Sequence, residues 1–117
     1  MKIELTQGDT SGTYKFKRID EKGEVIITLP QKMWITFKSS TGLNEAVIQK
    51  TLDNGITYSA EDNYYRFMLD SKDTSNLPYG EYVFDIAIIN EIGHKKTLKK
   101  NCVLNITEHC TNADNEV

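Results

Sequence analysis

Apolar and polar residues alternate with a period of two along most of this chain, the pattern of strands that bury one face. KIEL (2–5) sets Ile3 and Leu5 on one side, and TYKFKR (13–18) opposes Tyr14 and Phe16 to Lys15 and Lys17. Alternating or apolar runs return in VIITL (25–29) before Pro30, MWITFKS (33–39), VIQKTL (47–52) and ITYS (56–59). In YYRFML (64–69), Tyr65, Phe67 and Leu69 stand against Tyr64, Arg66 and Met68. YVFDIAII (82–89) follows, and in HKKTLKKNCVLNITE (94–108) Cys102, Leu104 and Ile106 share a face. Polar segments rich in Gly, Asp, Asn and Ser separate these runs. Among them Asn54-Gly55 is the strongest hairpin signal, because both residues tolerate positive φ. A helical turn fits only at 71–77. The pattern predicts about eight or nine short strands at the spacing of a sandwich or barrel, and therefore an all-β domain over 1–108 with a polar tail over 109–117.

Two positions within the pattern have further meaning. In MWITFKS, Ile35 and Phe37 are expected to face the core, which turns Trp34 outward beside Thr36 and Lys38. A register shift of one residue would instead bury Trp34, and both arrangements fit the alternation. An outward Trp is a candidate contact residue. Tyr64 and Met68, opposite a strongly apolar face, form a second candidate patch. In DTSNLPYGEYVFDIAII (73–89), the spacing of Leu77, Gly80, Tyr82 and Phe84 reads as a corner that feeds a core strand. Tyr79 lies at its tip, free to meet a partner.

Composition narrows the function more than it defines it. With 117 residues, 38% hydrophobic and 26% charged, the chain suits one folded domain. A net charge of −3 argues against nucleic-acid binding, for which a basic domain is expected. No apolar run reaches membrane-spanning length. The opening MKIELTQGDT lacks a signal-peptide core, so folding in a cytoplasm is the expectation. Two cysteines, Cys102 and Cys110, permit a disulfide without implying one.

Candidate chemistry is sparse. There is no Gly-rich phosphate loop, no G-x-S-x-G elbow and no H-E-x-x-H. The acid pairs Asp70/Asp73 and Glu61/Asp62 sit in turns, where Asp ordinarily closes backbone hydrogen bonds. His94 follows a turn glycine and reads as a solvated imidazole, and His109-Cys110 has no second ligand pair at zinc spacing. The expectation is a protein without catalytic residues, cofactor or metal.

LPYGEYVF has the logic of an immunoglobulin corner, in which the Tyr hydroxyl bonds back to the corner backbone. The position two residues after Tyr82 is Phe84 rather than Cys, so the resemblance is to a disulfide-free immunoglobulin-like antiparallel sandwich, with Gly80, Tyr82 and Phe84 as its corner residues. Across most of the chain, ELTQGDT, YKFKRIDEKGEVI, WITFKSS, QKTLDNGITY, YYRFMLDSKDTSNLPYGEYVFDIAII and KKTLKKNCVLNITE occur in that order. This order resembles small immunoglobulin-like structural proteins of phages and prophages, in particular the N-terminal domain of the baseplate upper protein. The matching motifs are Gln7-Gly8-Asp9 and the hairpin Asp20-Glu21-Lys22-Gly23. The resemblance implies a non-enzymatic virion role in the tail, baseplate or head, with other virion proteins or further copies of itself as partners. A carbohydrate-binding or host-adhesion module is the alternative, presenting Trp34, Tyr58, Tyr64 and Tyr79 in one exposed plane.

Overall fold

A computed structural model describes residues 1–40 and 46–108. Its strands are β1 (Lys2–Thr6), β2 (Tyr14–Phe16), β3 (Lys32–Ser39), β4 (Ala46–Leu52), β5 (Gly55–Ser59), β6 (Tyr64–Phe67), β7 (Gly80–Ile89) and β8 (Lys95–Thr107), with one short helix, α1 (Ser71–Ser75). They form an 8-stranded sheet in the order β1-β8-β7-β3-β4-β5-β6-β2. The sheet curls into an all-β, immunoglobulin-like sandwich. One half is β1-β8-β7-β3-β4 and the other is β5-β6-β2, joined where β4 meets β5 only at Thr51–Gly55 and Leu52–Ile56. Pairing is antiparallel except at that junction and between β1 and β8, which run parallel.

The period-two alternation translates directly into burial, because successive side chains of a strand point to opposite faces. Met33, Ile35 and Phe37 of β3 enter the core with Tyr82, Phe84, Ile86 and Ile88 of β7 and Cys102, Leu104 and Ile106 of β8. Phe37 stacks on Phe84 at 4.5 Å, and in the other half Phe16 stacks on Tyr65 at 5.4 Å. Cys102 is a buried free thiol. The tail expected over 109–117, with Cys110, lies outside the described residues.

The corner forms as the spacing predicts. Gly80 has φ of 134°, and the Tyr82 hydroxyl donates to the Pro78 carbonyl at 2.6 Å. Helix α1 begins with a capping box in which Asp70 accepts from the Asp73 amide and Asp73 accepts from the Asp70 amide, each at 2.9 Å. The N-terminal turn is tied to this region, since Gln7 donates to the Leu77 carbonyl at 2.7 Å and Thr74 donates to the Asp9 carbonyl at 2.9 Å.

Two expectations change. Asn54-Gly55 does not close a hairpin: β4 pairs along β3 and β5 pairs along β6, so the turn carries the chain from one half of the sandwich to the other. Gly55 is required there at φ of 105°, where a Cβ would stand 2.6 Å from the Lys50 side chain. VIITL does not form a strand either. Val25 makes an isolated bridge to Ile19, after which side chains from elsewhere take the backbone acceptors. Arg18 donates to the Thr28 carbonyl at 3.0 Å, and the Tyr58 hydroxyl, whose proton is shared with Asn63 Oδ1, reaches the Ile27 carbonyl at 3.4 Å. Those bonds leave no ladder to continue, and Pro30 brings no N–H to extend one.

Candidate protein-docking site

The end of the sandwich that carries the β7–β8 turn is built around one buried cation. Arg18 follows β2 and is 4% exposed. Its Nη1 donates to the Thr28 carbonyl at 3.0 Å and its Nη2 to Glu91 Oε1 at 2.9 Å. The Thr28 hydroxyl donates to the second oxygen of the same carboxylate. Gln31 completes the clamp, donating from Nε2 to the Glu91 carbonyl at 3.2 Å and from its amide to the Ile89 carbonyl at 2.9 Å. Residues 18–31 are thereby fastened to the β7–β8 turn without a strand between them.

The electrostatics follow from this packing. Burial is the largest influence on Glu91 and would raise its pKa. Hydrogen bonds from Thr28 and Arg18 outweigh it together, and the carboxyl is held below its ordinary value. Tyr65, fully buried beneath the clamp, has its phenol pushed up by burial, against the opposing influence of Arg18. Arg18 Nε and the Tyr65 hydroxyl are buried without a hydrogen-bond partner among the described residues.

Each of the two turns at this end is closed by its own side chain. Asn90 Oδ1 accepts the amides of Ile92 at 3.2 Å and His94 at 2.9 Å. Asp20 Oδ1 accepts the amides of Lys22 and Glu24 at 2.9 Å. Such Asx closures hold loops in one conformation.

Upon this frame stand aliphatic side chains that the core does not take. Ile19 and Val25 face each other across their bridge, Ile27 is 69% exposed, Leu29 is exposed, and Ile92 is 74% exposed at the tip of its turn. Ile27 and Ile92 adjoin Thr28 and Glu91, the partners of one hydrogen bond of the clamp, so exposed aliphatics gather around it, and exposed apolar groups of this kind are often functional. Isolated exposed aliphatics need no explanation, but a group of them on a clamped frame does. Sequence reading missed this site because VIITL looks like a core strand. One signal was present: Ile92 occupies a turn position where Gly, Asn, Asp or Ser is usual.

The residues singled out from sequence do not converge. Trp34 lies on the outer face of β3, opposite Ala87 and Thr51, which settles the register that the pattern left open. It borders a shallow depression of about 390 Å³ shared with Thr36, Lys38, Val83 and Asp85. Tyr64 points outward from the opposite half, and the ammonium groups of Lys15 and Lys17 each sit 4.4 Å from its ring. Met68 is exposed beyond β6, and Tyr79 is exposed at the β7 corner. Four separated positions replace the single aromatic plane that sugar stacking requires, because Tyr58 is also half-buried and donates to Asn63 at 2.8 Å.

The acid pairs have structural occupations. Asp70 and Asp73 cap α1, and Asp73 also pairs with Lys50 at 2.6 Å. Asp62 accepts from Arg66 and from the Tyr64 amide, which lowers its carboxyl to about 2. His94 is exposed. Among the described residues no three His, Cys, Asp or Glu side chains gather as a metal site; His109 and Cys110 lie outside them. No helix among the described residues is long and apolar enough to cross a membrane.

No family model matches this chain, and no curated protein matches it. Among solved structures it is similar to CopC from Methylosinus trichosporium OB3b, with a TM-score of 0.47 and 17% identity over 94% of this chain and 89% of that one. These findings overturn the expected virion role. Neither a family model nor a curated protein supports it. The phage reading is withdrawn together with its sugar-binding alternative.

Proposed function

We propose that this chain is a non-enzymatic protein-docking module that engages its partner through the clamped apolar end. The observation that carries this reading is the exposure of Ile27 and Ile92 on loops fixed by the buried Arg18–Glu91–Thr28 cluster. Rigid loops lose little conformational freedom on association, so their apolar surface converts efficiently into affinity. Exposed aliphatics on a disordered loop would lack that advantage. Asp62, Asp70, Asp73 and Glu91 are engaged in caps and ion pairs, which favours docking over catalysis.

A photo-crosslinking amino acid placed at position 27 or 92, in cells that naturally carry the chain, tests this. Both positions are expected to capture one defined peptide, identified by mass spectrometry. Glu81, exposed at the start of β7 and so at the far end of that strand from the β7–β8 turn, serves as the control and captures none. Absence of a defined crosslink from 27 and 92 refutes the reading.

A further inference from the structure

We infer that the partner at this end is a second copy of the chain, docked about a two-fold axis that passes near Ile27 and Ile92. The inference rests on the docking reading above and adds the identity of the occupant. Its basis is the way charge is divided across the end. The hairpin that leaves β2 carries Asp20, Glu21 and Glu24, exposed on the β5-β6-β2 half of the sandwich, with Lys22 the single interruption. The start of β8, on the other half, carries His94, Lys95 and Lys96, also exposed. The clamp joins the two, with the Glu91 carboxylate already engaged by Arg18 and Thr28, and the exposed Ile27 and Ile92 adjoin Thr28 and Glu91.

An acidic flank, an apolar centre and a basic flank make a self-complementary surface. A two-fold rotation lays the acidic hairpin of each copy against the Lys95–Lys96 stretch of the other, and apolar centre meets apolar centre. This is the arrangement an isologous interface requires, in which each contact occurs twice. A standard interface removes roughly 1,600 Å² in all, so the charged flanks take part in the contact together with the apolar centre. Strand-to-strand pairing along β8 is a poorer route. β1 covers only Val103–Thr107, and the uncovered stretch is guarded by Lys95, Lys96, Lys99 and Lys100.

Sedimentation equilibrium of the full chain at low salt tests the inference. Twice the monomer mass is expected at micromolar concentration. Ile92→Asp and Ile27→Asp are each expected to raise the dissociation constant at least about tenfold, with unchanged circular dichroism. Glu24→Lys and Lys95→Glu are each expected to weaken the dimer, and their combination to restore it, which no general loss of folding can imitate. Monomer mass up to millimolar concentration overturns the inference, as does a dimer indifferent to both Ile92→Asp and the charge exchange. The crosslinks separate the two levels: a monomer whose positions 27 and 92 capture a different protein defeats the second-copy inference and leaves the docking reading intact. A monomer with no defined crosslink defeats both.

Discussion

Removing the Glu91 carboxylate measures how firmly the apolar end is held. Glu91→Ala leaves Arg18 at 4% exposure with its bond to the Thr28 carbonyl but without its anionic partner, and it frees the Thr28 hydroxyl. Breaking a fully buried ion pair costs about 3–5 kcal/mol, because the surviving charge stays desolvated and uncompensated. The Glu91 side chain is 37% exposed, however, so water already screens the pair and can replace part of it. The expected loss is therefore about 1.5 kcal/mol, between the exposed and buried limits. With a urea m-value of about 1–3 kcal/mol/M, the unfolding midpoint falls by about 0.5–1.5 M at unchanged m. Urea titration followed by circular dichroism reads this directly. Adding Arg18→Met to Glu91→Ala is expected to recover much of the loss, since the stranded charge is what destabilises. An unchanged midpoint in Glu91→Ala, or a double variant worse than the sum of the singles, would show that Arg18 is not the keystone of this end.

Two further outcomes follow from the same structure. Tyr82→Phe removes the hydroxyl that donates to Pro78 and strands that carbonyl at the corner; a loss of about 1 kcal/mol is expected from the shift in thermal or urea midpoint. Acid should loosen the clamp. The folded-state pKa of Glu91 lies below its unfolded value, so its contribution is fully present above the unfolded carboxylate pKa of about 4.3 and is lost as pH falls through the folded value. Asp62, held at about 2, acts in the same direction over the range down to that value. Midpoints measured from pH 7 to pH 3 are expected to fall, and the Glu91→Ala variant to show a smaller fall than the parent chain.

Much of the fold is legible in the chain itself. The buried faces of β3, β6, β7 and the second half of β8 follow from alternation, because a strand's pleat turns a local pattern of side chains into two faces whatever the partner strand is. The Tyr82 corner and the cap of α1 are equally local, resting on residues three or four positions apart. What tertiary structure alone decided depends on partners distant in sequence. Asn54-Gly55 has the chemistry of a hairpin, but β5 finds β6 instead of β4, and a local turn preference is outweighed by that longer pairing. VIITL has the composition of a core strand and remains outside the ladder because Arg18 and Tyr58 take its carbonyls. Trp34 takes its side only when Ile35 and Phe37 meet Ile86 and Phe84 across the sheet. The apolar end is the clearest case. Its keystone joins Arg18 to Glu91 across 73 positions of sequence, a distance over which no periodicity carries information. Folding brings these two residues together, and only then do Ile27 and Ile92 become parts of one surface.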